Sequence, residues 1–165
     1  MDDPPAGGRA PGLRVRESGP EDRDFVLGLV PELLAFGPPS WRDARAMARV
    51  DAEVIGAALD GRAAGRGVLV AEDREGRRLG FIHVSEEDDY YGGACGHVGD
   101  IVVAPEARGQ GVGTALLAAA EDWARARGHR LITLNVFLDN AGARRVYERA
   151  GYHPETIRHV KPLVP

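Results

Sequence analysis

A chain of 165 residues with 44% hydrophobic and 28% charged residues has an ordinary globular composition and can bury one sizeable core. Its formal charge of −4 offers nucleic acid no general attraction, and one cysteine, Cys95, excludes an intrachain disulfide and a cysteine-built metal site. The opening MDDPPAGG lacks the apolar stretch of a signal peptide, and the uncharged run Gly109–Ala120 is too short and glycine-rich to span a bilayer. A cytoplasmic protein with no nucleic-acid and no membrane partner is therefore expected.

Residues 1–12, rich in Pro, Gly and charge, read as a disordered tail, and residues 13–165 as a single domain. Leu13–Arg16 alternates apolar and basic residues and predicts a first strand. Ser18-Gly-Pro-Glu21 predicts a helix start, with a serine cap, an early proline and an acid three residues on. That helix would carry Phe25, Leu29, Leu33 and Leu34 on one face. Phe36–Ser40 breaks it, and Trp41–Ala58 predicts a second helix with Met47, Val50, Val54 and Ala58 at helical spacing. The period then changes. Val68–Ala71 and Leu79–Ser85 predict two strands of a hairpin joined at Asp73–Gly76. Glu86–Gly96 reads as a loop with four acids followed by Tyr90 and Tyr91.

Val98–Ala104 predicts the next strand, stopped by Pro105. A helix over Gly111–Arg127 would pack Val112, Leu116, Ala119 and Trp123 on a sheet, with Gly128 closing it. Arg130–Leu138 predicts a long strand, Asp139-Asn140 the cap of a last helix over Ala141–Ala150, and Thr156–Val160 a final strand.

The stretch His97–Gly113, HVGDIVVAPEARGQGVG, joins an apolar strand to a glycine-rich turn that opens onto a helix. A helix start leaves backbone N–H groups without intrahelical partners and carries the positive dipole end. Gly109, Gly111 and Gly113 have no side chains to bar an anion, and Arg108 adds a charge beside them, so the stretch reads as a phosphate cradle. A Walker loop would need Gly-Lys-Ser/Thr, and no lysine stands near. A dinucleotide-binding turn would need glycine where Thr114 stands, and an acid about twenty residues on, where TLNVF has none.

Arg108-x-x-Gly111-x-Gly113 after VVAPEARGQ resembles the acyl-CoA loop of the GNAT superfamily, the acetyl-CoA-dependent N-acyltransferases. A second block, NVFLDNAGARRVYERAGY over Asn135–Tyr152, is similar to the superfamily's pattern of a capping Asn, a small residue, a Tyr and a Gly-aromatic end. The two blocks cover about residues 97–153. The resemblance implies an α/β fold: a mixed, twisted sheet of six to seven strands, helices on both faces and splayed central strands. It implies acetyl-CoA as co-substrate, with no metal. The pantetheine arm would pair with the backbone of Ile101, Val102 and Val103 like an added strand. The pyrophosphate would take N–H groups of Arg108, Gly109, Gln110, Gly111, Val112, Gly113 and Thr114. Asn140 and Tyr147 would complete the contacts.

The implied reaction is N-acetyl transfer by direct attack of an amine within a ternary complex. It needs an oxyanion donor, a route for the amine proton and an acid for the leaving thiolate. By analogy with the superfamily, the donor is the N–H of Val103. Tyr147, whose ordinary reading is a packed core residue, becomes the acid on the strength of its place in the matched block. Asn140 is both helix cap and cofactor contact. A Glu of the ribosomal-protein N-terminal acetyltransferases is replaced here by Asn135, which removes one ready-made base. Asp100 and His97 remain, and in a regular strand they face opposite sides unless a bulge intervenes, with Asp100 favoured. The acids of Glu86–Asp89 read first as a solvated loop and, if turned to the cleft, as an attraction for a basic amine. Cys95 lacks the basic surroundings of an acyl-carrying thiolate, and the five histidines have no metal-ligand spacing. The acceptor is a small-molecule or peptide amine, and the resemblance implies a homodimer. The competing reading is a catalytically weak acyl-CoA-binding or sensor protein of the same fold.

Overall fold

The computed structural model describes residues 12–163; residues 1–11, nearly all of the expected tail, lie outside the described residues, as do 164–165. Five strands form one sheet in the order β1-β2-β3-β4-β5: β1 (Arg14–Glu17), β2 (Arg66–Glu72), β3 (Arg78–Asp89), β4 (Gly93–Val103) and β5 (Ile132–Leu134). The first three pairings are antiparallel, and β4–β5 is parallel. The helices are α1 (Arg23–Leu29), α2 (Ala44–Leu59), α3 (Val112–Ala126) and α4 (Ala141–Arg149), with short 3-10 turns flanking α1.

Strand alternation divides the core. Leu69, Ala71, Ile82, Val84 and Val98 turn to one face, under Val112, Leu116, Leu117, Ala120 and Trp123 of α3. Val68, Val70, Phe81 and Val102 turn to the other, against Val26, Val30 and Ile55. Phe81 is fully buried there, so its truncation to alanine would cost about 3–5 kcal/mol. The helix start lies one residue later than Ser18: Gly19 is the cap, and its N–H donates to Asp22 at 2.8 Å. Asp22, fully buried, also accepts from Arg16 at 2.6 and 3.1 Å and from Arg78 at 2.6 Å, which ties the start of α1 to β1 and β3. These donors, Arg16 foremost, hold its carboxyl far below the usual range. Around α1 the fully covered residues are Val26 and Val30, with Phe25, Leu29 and Leu33 beside them. The expected face is rotated because the chain tightens into a 3-10 turn at Pro31.

Three expectations are corrected. Among the described residues the sheet has five strands, not six to seven, because Thr156–Val160 forms no strand: Ile157 is 75% exposed, and Pro154 and Pro162 flank the segment without N–H groups to donate. The long strand expected over Arg130–Leu138 shrinks to three residues, since β4 and the outgoing chain part after Val98 pairs with Leu134. The expected loop Glu86–Gly96 is instead the end of the β3–β4 hairpin, paired as far as Asp89 with Gly93, and Tyr90-Tyr91-Gly92 makes the turn. Charged side chains on a solvated ribbon leave its backbone ladder intact.

Candidate active site

Where β5 stops, β4 continues alone. Gly99–Val103 has β3 on one side and, among the described residues, no strand on the other. Ala104 N donates to Leu79 O at 2.9 Å, and alternation then sends the backbone groups of Val102 inward to β3 and those of Ile101 and Val103 outward to the open edge. Arg108 Nε reaches Val103 O at 3.4 Å from that side.

The edge leads directly into the glycine turn. Gly109 and Gly111 have φ of +76° and +80°, which a side chain would resist, and Gly111 caps α3. The first helical bond of α3 runs from Ala115 N to Gly111 O, so the N–H groups of Val112, Gly113 and Thr114 precede the ladder. A Cβ on Gly113 would make only an ordinary contact with Val103 at 3.7 Å; packing does not demand glycine there. Gln110 turns back to Glu106 O at 3.0 Å. The Arg108 guanidinium is not a free charge beside the turn: it donates to Glu32 at 2.7 Å.

In the second block, Asn140 caps α4 by accepting from Ala143 N at 3.1 Å. Ala143, Val146, Tyr147 and Ala150 form its half-buried row, and the last three pack on the α3-side core. Burial pushes the Tyr147 hydroxyl above its usual range, and the charge of Asp100 adds to the effect.

On the face covered by α2, a bulge at Gly99 decides the geometry. His83 stands opposite Asp100 while Val84 stands opposite Val98, so Gly99 is the extra residue and His97 and Asp100 share one face. Asp100 accepts from His83 Nδ1 at 3.1 Å, and His83 Nε2 is sealed without a partner among the described residues. His97 Nδ1 lies 2.8 Å from Thr133 Oγ1 on β5 and 3.8 Å from Glu87, whose other oxygen accepts from Ser85 at 3.2 Å. Burial lowers the basicity of His97, and Glu87 opposes that shift. Asp51 on α2 is raised above the usual carboxylate range by burial and by Asp100. Cys95 is buried on the same face, 3.9 Å from Thr133 Oγ1. The acids of the hairpin divide: Glu87 turns to this cluster, and Glu86 to His129 and Arg127 on the other side.

Residues 31–152 match the family described as Acetyltransferase (GNAT) family. The chain belongs to the GNAT acetyltransferase family. It is 31% identical over 157 residues to an aminoalkylphosphonate N-acetyltransferase of Salmonella typhimurium, covering 93% of each protein. It is 36% identical over 88 residues to an aminoglycoside N(6')-acetyltransferase of Klebsiella aerogenes, 52% of this chain and 58% of that protein. It spans 47% of a mycothiol acetyltransferase from Saccharomonospora viridis, at 30% identity. An aminoglycoside N-acetyltransferase solved with CoA shares the fold, with a TM-score of 0.70 and 20% identity over 92% of this chain and 95% of that one. Among the described residues no helix is long and apolar enough to cross a membrane.

In this GNAT chain the β4 edge at Ile101 and Val103 runs into the turn at 108–114, and Tyr147 of the second block lies near enough to β4 to feel the charge of Asp100. The sequence reading passed over His83, Asp51 and Thr133, and named Glu87 only within the acidic stretch Glu86–Asp89. His83 is a lone titratable residue in the apolar run FIHVS, and Gly99 inside a strand is itself a bulge signal. No local pattern marks Asp51 or Thr133.

Proposed function

We propose that the protein transfers an acetyl group from acetyl-CoA to the amine of a basic small molecule, by direct attack within a ternary complex. The observation that carries this reading is the unpaired β4 edge running straight into the start of α3. The edge offers an extended arm two backbone positions, Ile101 and Val103, and the helix start offers an anion N–H groups and dipole. The room left at Gly113 fits a group lying over that first turn. Arg108, Gly109, Gln110, Gly111, Val112, Gly113 and Thr114 would surround the pyrophosphate, with Asn140 and Tyr147 closing the other wall and Val102 backing the edge.

Acetyl-CoA supplies the activated acyl group. Val103 N–H, on the open edge, is positioned to donate to the oxyanion that develops during attack. Tyr147 holds its proton because it is half-buried, and gives it to the departing sulfur. Asp100 draws the ammonium to the cleft by its charge.

The acceptor reading rests on charge. Asp51, Asp100 and Glu87 gather on one side of the gap, an arrangement that favours a cationic amine. Relatives are named for aminoglycosides and for aminoalkylphosphonates, both amine-bearing small molecules; of the two, only the polycationic aminoglycosides match the charge of this cluster.

Free-thiol release from acetyl-CoA across a panel of polyamines, amino sugars, aminoalkylphosphonates and peptide N-termini tests the proposal, run beside calorimetric CoA binding. Release with a basic small amine is expected. CoA binding without release for any amine would overturn it in favour of a sensor.

A further inference from the structure

We infer that His97 is the catalytic residue that takes the amine's proton, with Thr133 of β5 and Glu87 of β3 fixing which ring nitrogen is free to do so. This rests on the transferase reading above and replaces Asp100 as the proton acceptor.

The tautomer follows from the neighbours of Nδ1. Thr133 Oγ1 also faces Gly96 O at 3.5 Å, a carbonyl that can only accept, so the threonine hydrogen is directed there. The oxygen is then free to accept from His97 Nδ1–H at 2.8 Å. The Glu87 carboxylate, 3.8 Å away on the same nitrogen, also favours a hydrogen at Nδ1. The lone pair is left on Nε2, which has no protein partner among the described residues and is not among the sealed polar atoms. The other imidazole in the cluster differs on both counts. His83 spends Nδ1 on Asp100, and its Nε2 is shut away from any substrate.

Position agrees with the tautomer. His97 pairs with Thr133 one step before the last β4–β5 pair, so it stands at the apex of the gap, with Asp100 on the same face where the gap opens. Without the bulge at Gly99 the two could not act on one nitrogen. The charged groups that act on His97 are Glu87 and His83 from β3 and Asp100 from β4, with Cys95 buried on the same face; Asp51 of α2 and Tyr147 of α4 feel Asp100 in turn. Burial leads and leaves the ring less basic than a free histidine, hence neutral at neutral pH, as a proton acceptor must be.

The balance is simple. The ammonium N–H bond breaks and a proton joins His97 Nε2, giving an imidazolium; the freed lone pair forms the C–N bond. The C–S bond breaks with its electron pair on sulfur, which takes the Tyr147 proton. The nitrogen's second proton returns to the Tyr147 phenolate, and His97 releases its proton to water.

The test compares wild type, His97→Gln, His97→Asn and Thr133→Val, using the best amine from the panel. Expected are a kcat loss of roughly 10²-fold or more in the His97 variants, unchanged CoA affinity by calorimetry, and loss of the acidic limb of the kcat/KM profile. That limb in wild type lies below the usual histidine range, since activity rises as pH climbs through a lowered pKa. Thr133→Val should lower kcat with KM for acetyl-CoA unchanged. Nitrogen-15 NMR of wild type should report His97 as the Nδ1–H tautomer. An Nε2–H tautomer, or an intact acidic limb with kcat within a few fold in either His97 variant, overturns the inference. If neither His97 variant folds, an unmoved kcat in Thr133→Val overturns it. A wild type that releases no thiol with any amine instead defeats the transferase reading itself.

Discussion

Gly99 lets the His83 ring lie against β4: a Cβ on Gly99 would stand 2.6 Å from His83 Nδ1. That contact and the bulge are one feature, because the extra residue that turns Asp100 to the face of His97 is also the residue the ring must pass. Gly99→Ala should therefore push the ring off Asp100, costing about 1–3 kcal/mol of stability and roughly 10²-fold in turnover. Denaturant titration and steady-state kinetics check this. A variant of normal stability and rate would mean that the bulge does not organise the site.

Tyr147→Phe removes one oxygen and keeps the ring that packs between α4 and the core. Turnover should fall by roughly 10²-fold while calorimetric CoA affinity stays the same. An unchanged rate would leave Tyr147 as a packing residue only.

The paired change Asp51→Asn, Glu87→Gln should raise KM for a dicationic amine by roughly tenfold, about 1.4 kcal/mol, and for a monocation by less. Asp51, held above the usual carboxylate range by burial and by Asp100, is among the first carboxylates to lose charge as pH falls. Affinity for the dication should weaken on acidification, through a range above that of ordinary carboxylates. Equal KM values for both amines in wild type and variant would remove charge from the account of acceptor choice.

Asp22→Asn should cost about 3 kcal/mol, since it leaves Arg16 and Arg78 without their buried partner. The sign of its pH dependence is fixed. A carboxyl whose folded pKa lies below its unfolded value contributes fully above the ordinary carboxylate range and loses that contribution as pH falls through it. Urea titrations at about pH 7 and pH 3 should find wild type losing stability on acidification and the variant losing less. Parallel losses in both would contradict the network.

The order of elements was legible because each is written in a local pattern. The α3 stripe at Val112, Leu116 and Trp123, the proline stop at 105 and the positive-φ Gly111 are statements about neighbours along the chain. What stayed hidden depends on partners far away. Residues 135–138 alternate like the strand before them, yet there is no ladder once β4 turns aside after Val98. Thr156–Val160 has strand spacing but no edge to join. His97 and Asp100 are three apart, which in an unbroken strand separates them. Only the register against β3 reveals the extra residue that brings them together.

The brevity of β5 has a consequence for the protein in storage. A sheet that ends its own pairing at Leu134 keeps a strip of backbone donors and acceptors along Ile101 and Val103 ready for any extended chain. In the absence of CoA, that strip is open to a neighbour's polypeptide as well as to the pantetheine arm proposed to lie along it. Saturating CoA should slow self-association on warming, followed by light scattering, as well as raise Tm through mass action. Equal aggregation rates with and without CoA would indicate that the strip is not the sticky surface.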